Sequence, residues 1–191
     1  SHTEAITVTS GETVEVNADL QRAWNVENVI SIDPHTHAAP SGDGKITMAG
    51  RLITHAAHGI GVHISTDHDH IVDYRPLLSA LGLDEHLQSV VGVEMSPILR
   101  GHHNNYPLTN DLTEINNGAL RWWEEHRTTP ELYDVMREMV GDAGIIQVNH
   151  PIGGSGMLSS ANFDLEEGKV GKSDFWDSDF DAIEVLNDGH Y

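Results

Sequence analysis

Four short apolar runs in this sequence end in residues of the kind that bind metal ions. Val29–Ile32 leads into Asp33-Pro34-His35-Thr36-His37, and Ile60–Thr66 into Asp67-His68-Asp69-His70. Val90–Val93 leads into Glu94, and Ile145–Val148 into Asn149-His150-Pro151. Imidazole nitrogen and carboxylate oxygen together suit hard or borderline divalent cations. In an extended chain His35 and His37 leave the same face, about 7 Å apart at Cα, so both can reach one ion. Glu94 has two oxygens and can bridge two cations. In Gly101-His102-His103-Asn104 the side chains of the adjacent pair diverge, so only one of them serves, and His102 is the expected ligand.

Other histidines read as structural. His55 and His58 share helical spacing with Arg51 and read as a solvated helix face, whereas His63 falls inside an apolar run as a core residue. His70 is close to His68 but points elsewhere, and His86 and His126 lie in charged stretches. Gly153-Gly154-Ser155-Gly156 lacks the Lys-Ser/Thr of a phosphate loop and reads as flexible. Trp122-Trp123 reads as core packing, and no serine sits in a nucleophile-elbow context.

Residues with this chemistry must be held by elements, and the pattern is strand–helix–strand. A helix is expected from Thr47 to His58, capped by Thr47 and stopped by Gly59, and a second from about Pro130 to Val140 with Thr128 or Thr129 as cap. Apolar strands joined by helices predict an α/β fold with a parallel sheet, open or closed into a barrel. In such folds sites gather at the carboxyl ends of strands. Ala182–Leu186 is a fifth strand signal, and Met157–Asp179 reads as a long loop. Ile6 and Val8, then Val14, Val16 and Ala18, alternate around Ser10-Gly11 and predict a β-hairpin. Residues 1–22 are therefore expected to be a hairpin that either docks on the main body or is the tail of an upstream β-domain, ahead of a domain over residues 23–191.

The chain has 191 residues, enough for a hydrophobic core without covalent staples. Thirty Asp+Glu against ten Lys+Arg give a formal charge of −20, which excludes nucleic-acid binding through a basic surface. No apolar run approaches the ~20 residues of a membrane-spanning helix, so no membrane insertion is expected. The absence of cysteine excludes disulfides, thiolate zinc sites and a cysteine nucleophile. Fourteen histidines are several times an ordinary share.

In order along the chain, these motifs resemble the PHP superfamily (polymerase and histidinol phosphatase) of metal-dependent phosphoesterases, and within it the carbaryl-hydrolase-like branch. Asp33-Pro34-His35-Thr36-His37 is similar to the first His-x-His motif, and Asp43 falls where the family has a further ligand. Ser65-Thr66-Asp67-His68 resembles the second motif, and Val91-Gly92-Val93-Glu94 the strand with the bridging glutamate. Gly101-His102-His103-Asn104, Gln147-Val148-Asn149-His150-Pro151 and Phe180–Asn187 resemble later segments. The resemblance implies a distorted (βα)₇ barrel with up to three metals. His35, His37 and Glu94 would hold the first ion, Glu94, His102 and His150 the second, and Asp43 and His68 would reach the third. Pro34 departs from the family's usual aliphatic residue. The family's closing Asp-x-His motif has its letters in Asp188-Gly189-His190, but these follow directly on a strand and read as coincidence. The barrel is thus expected to be truncated after about five strands.

The resulting expectation is a hydrolase of phosphate, carbamate or carboxylic esters, acting through water activated on manganese, iron or zinc. Asp67 and Asn149 are expected to orient the ligands. Its partner is a small-molecule ester. An amidohydrolase-type barrel is a rival, but that fold bridges its metals with a carboxylated lysine, and no lysine here ends a strand. A non-catalytic metal-binding or interaction domain of a larger secreted protein is a second rival, favoured by the acidity, the upstream hairpin and the missing last motif, and it points to an extracytoplasmic setting.

Overall fold

Residues 5–17 and 28–187 are described by the structure, a computed structural model, and local capping chemistry sets where its two longer helices begin. Helix α1 spans Met48–His58; the Thr47 hydroxyl accepts from the Gly50 amide at 3.0 Å, and Gly59 ends the helix in the left-handed conformation. Helix α2 is Arg75–Ala80. Helix α3 spans Thr129–Val140, and Thr128 with Glu131 forms a reciprocal capping box. Helix α4, Met157–Ser160, opens the segment expected to be a loop, and its Met157 is fully buried.

Strands β1 (Ile32–Thr36), β2 (Val62–Ser65) and β3 (Gln88–Val91) form a parallel sheet in that order. Strands β4 (Val93–Met95), β5 (His103–Tyr106), β6 (Ile145–Val148) and β7 (Ala182–Ile183) form a second sheet in that order. In this sheet β4–β5 and β5–β6 are antiparallel, while β6–β7 is parallel. The expected all-parallel arrangement therefore holds for the first sheet only. Residues 96–102 are fewer than the dozen or so that a parallel crossover needs, so β5 returns antiparallel to β4.

The molecule is mixed α/β, and no barrel closes among the described residues. The described residues form seven strands where five were expected, for two reasons. Gly92 divides the run Val90–Val93, passing the chain from one sheet to the other; a Cβ there would lie 2.9 Å from the carbonyl oxygens of both Asn105 and Ser65. Strand β5 reads His-Asn-Asn-Tyr and carries no apolar signal, yet His103, Asn104 and Asn105 are buried.

The core lies on both flanks of the site. Leu52 of α1 packs with Ala38, Val72, Tyr74, Leu78 and Leu87 beside the first sheet. Leu132, Tyr133 and Met136 of α3 pack against Met95, Ile146, Val148 and Met157 beside the second. Each such side chain contributes about 1.5–3 kcal/mol of burial.

The hairpin expected over residues 1–22 is not formed among the described residues. The turn closes, with the Glu12 amide on the Thr9 carbonyl at 3.1 Å, but residues 5–17 make no strand ladder. Ile6, Val8, Val14 and Val16 are exposed, and a two-stranded ribbon without a sheet to pack on is marginal in water. Ala18 lies outside the described residues, as do Asp188 and His190.

Candidate metal centre

The strand ends converge on one fully buried carboxylate, Glu94 in β4. Oε2 of Glu94 lies 3.4 Å from His35 Nε2, 3.1 Å from His37 Nε2 and 3.0 Å from His68 Nδ1. Its Oε1 lies 3.2 Å from His102 Nδ1 and 3.3 Å from His150 Nε2, and accepts from Asn149 Nδ2 at 2.9 Å. Five imidazoles thus surround one carboxylate, delivered by β1, by the segments after β1, β2 and β6, and by the residue before β5.

Local structure explains the aim of each. Asp33 pairs with His63 and Thr36 with Ser65, three steps along β1 against two along β2, so β1 carries a bulge. Bulges re-aim side chains, and this one contains His35. Pro34 sits in the same bulge on an edge strand, where its missing N–H costs little. The Ser41 hydroxyl donates to Asp43 Oδ1 at 2.8 Å and accepts from the His68 amide at 3.1 Å. It lies 3.0 Å from His37 Nδ1, which therefore serves as the donor and leaves Nε2 toward Glu94. Arg51 fastens the His37 carbonyl with two donors at 2.7 and 3.0 Å. Ser96 Oγ lies 2.6 Å from His68 Nδ1.

The two expected orienting residues differ. Asn149 donates to both Glu94 and Asn104 Oδ1, the latter at 2.8 Å. Asp67 touches no candidate ligand side chain; it accepts from the Ala38 amide and the Tyr74 hydroxyl, both at 2.8 Å, and so pins the loop that follows His37. Asp43 is the most solvated of the set, its Oδ2 3.4 Å from His68 Nε2. His103 faces the opposite side of β5, toward the Tyr133 hydroxyl at 3.2 Å.

Glu184 was not expected from the sequence. Its Oε1 lies 3.0 Å from His35 Nδ1, and its Oε2 accepts from the His150 amide at 2.6 Å. The acid letter in a C-terminal strand was the only signal. His55 was expected to be solvated; it is buried, its Nε2 3.4 Å from Asp33 Oδ2 and its ring 5.2 Å from that of His63. His63 is a core residue facing Ser89, and His70 turns away to Asn117.

Burial alone would raise the carboxyl of Glu94, but His102, His150, His35 and His37 outweigh it and hold the group well below the usual carboxylate range. Burial likewise lowers His35, and the Glu184 and Glu94 carboxylates overcome it, pushing the imidazole up to about 10. Burial raises Asp43, but the Ser41 hydroxyl and the charges of His37 and His68 bring it down.

This arrangement fits divalent cations. Ligand atoms on one ion with bonds of about 2.1 Å stand about 3.0–3.4 Å apart at octahedral to tetrahedral angles. The five nitrogen–oxygen separations around Glu94 are 3.0–3.4 Å. Glu94 Oε2 and His102 Nδ1 are buried without a hydrogen bond, as ligand atoms with free lone pairs are. Among the described residues, three groups have ligand atoms within 4.8 Å of one another: His35, His37 and Glu94; His37, Asp43 and His68; His68, Glu94 and His102. All six of these residues lie at a cleft of about 890 Å³, with His150, Arg51, Glu184 and Leu186 also on its wall.

The chain is thus a mixed α/β protein with a histidine–carboxylate cluster able to hold metal. A scan against protein-family models gives no match, and neither does a search of curated proteins.

Proposed function

We propose that this protein is a metal-dependent hydrolase of the PHP type, acting on phosphate, carbamate or carboxylic esters. The observation that carries the reading is the buried Glu94 carboxylate facing five imidazoles at the floor of an open cleft. A purely structural carboxylate needs no such number of imidazoles, and a substrate can enter the cleft.

The strand path supports a barrel-like arrangement. Sheet β1-β2-β3 continues through Gly92 into β4-β5-β6-β7, and Glu184, just after β7, meets His35 of β1. The first and last strands thereby approach each other across the site. No lysine is among the residues lining the cleft, which favours a glutamate bridge over the carboxylated lysine of the amidohydrolase alternative.

In this reading Glu94, His35 and His37 would hold one cation, Glu94, His102 and His150 a second, and Asp43 and His68 would reach a third. Divalent cations held there would supply activation of water at neutral pH and stabilisation of negative charge on ester oxygens. Asn149 keeps Glu94 oriented, and Ser41 keeps the His37 donor side occupied. Among the described residues Arg51 is the one Lys or Arg lining the cleft, and it orients an anionic substrate group.

The test is turnover of 4-nitrophenyl phosphate, acetate and a methylcarbamate by metal-free protein, with and without manganese, iron or zinc. We expect hydrolysis of at least one ester that requires added metal and is lost in Glu94→Gln. Metal-loaded protein inert toward all three leaves the non-catalytic metal-binding domain as the better reading.

A further inference from the structure

We infer that Glu184 is a positioning residue for this centre, holding His35 by its ring and His150 by its backbone so that both imidazoles face Glu94. The inference rests on the metal-site reading above and adds a residue to it.

Glu184 directly follows β7, a strand of two residues that among the described residues pairs only with β6. An acid in such a place is ordinarily solvated. This one has a partner on each oxygen: Oε1 lies 3.0 Å from His35 Nδ1, and Oε2 accepts from the His150 amide at 2.6 Å and from Asn187 Nδ2 at 2.8 Å. An ionised carboxylate only accepts, so Nδ1 of His35 carries the proton in that contact. Nε2 of His35 is left toward Glu94 Oε2, 3.4 Å away. A carboxylate on the far nitrogen of a ligating histidine fixes ring orientation and raises ligand basicity.

The second hold is on backbone. His150 has φ +27, in the region that L-residues rarely adopt, a conformation that persists only where the surroundings impose it. The short charge-assisted bond from Glu184 falls on the amide of that same residue. Asn187 in turn steadies the carboxylate. No strand ladder joins β1 to β7 among the described residues, so this side chain, on the side of the rings away from Glu94, helps set His35 relative to His150.

The test uses Glu184→Gln and Glu184→Ala in the full chain, freed of metal, with two readouts. The first is the ¹H–¹⁵N signals of the His35 Nδ1–H and the His150 amide in metal-free protein. Both are expected downfield and slow to exchange in the wild type, and shifted or lost in Glu184→Ala. The second is the Kd for Zn²⁺ and Mn²⁺ by titration calorimetry, expected to weaken about 10- to 100-fold in Glu184→Ala and less in Glu184→Gln, which keeps an acceptor oxygen. A wild type that binds ions tightly beside a Glu184→Ala variant of equal affinity and unchanged signals overturns the role of Glu184 alone. A wild type with both signals intact that binds neither ion overturns the metal reading and this role with it.

Discussion

Replacing Glu94 by glutamine keeps the shape of the side chain and removes its charge and one of its acceptor oxygens. Glu94 belongs to two of the three ligand groups, so the change strips a ligand from both and leaves only His37, Asp43 and His68 intact. An ion that binds the folded state alone adds RT ln(1 + [L]/Kd), about 4 kcal/mol at a thousandfold excess over Kd. For a chain of this size each kcal/mol moves the melting temperature by about 2–4 °C, so wild-type protein should gain about 8–16 °C from manganese or zinc over a chelated sample. In Glu94→Gln we expect a gain below about 4 °C, since one solvated group with Asp43 as its sole carboxylate remains. Scanning calorimetry of each variant, chelated and metal-loaded, makes the comparison internal and independent of any change in baseline stability. Sodium chloride should reproduce only a small part of the gain, because screening acts on exposed charges and hardly on the buried cluster. A wild type indifferent to chelator, or a Glu94→Gln variant that keeps the whole gain, refutes the reasoning.

Three further outcomes follow from particular contacts. His63 is fully buried and pushed down to about 3, by burial first and then by His55 and Arg51. The unfolded chain, with its histidine near 6.5, therefore binds the extra proton between pH 6.5 and 3. Stability should fall with falling pH across that window by about 1.4 kcal/mol per pH unit from this group, and His63→Gln should remove that slope in urea melts of metal-free protein. Gly92→Ala must displace two backbone oxygens, and a shift of its denaturation midpoint worth less than about 1 kcal/mol would mean that the sheet switch is looser than described. Ser41→Ala frees His37 Nδ1 and should weaken zinc binding about tenfold in calorimetric titration, whereas an unchanged Kd would assign the hydroxyl to loop structure alone.

Much of the site can be read from the sequence because ligand types follow apolar runs, and a strand end fixes what comes next. The run Ile145–Val148 is β6 itself, and Asn149 and His150 follow it into the cluster. Helix α1 is legible for an equally local reason, since Thr47 and Gly59 mark its ends within the chain. What escapes is whatever depends on distant partners. Strand β5 has no apolar residue to announce it, because Asn104 faces Asn149 and the Pro34 carbonyl, and His103 faces Tyr133. His55 has the spacing of a solvated face but is covered by Asp33 and His63 from the sheet. Glu184 lies 149 residues from the histidine it meets, and no local pattern encodes that pairing.

The central claim is that the cluster around Glu94 holds divalent metal, and the most direct measurement is the metal content of protein purified without chelator. Elemental analysis of the wild type and of Glu94→Gln, each after incubation with manganese, iron and zinc and removal of the excess, reads it without reference to any substrate. We expect one or two tightly held ions per wild-type chain and a clear loss in Glu94→Gln. A wild-type chain that retains none of the three metals contradicts the claim.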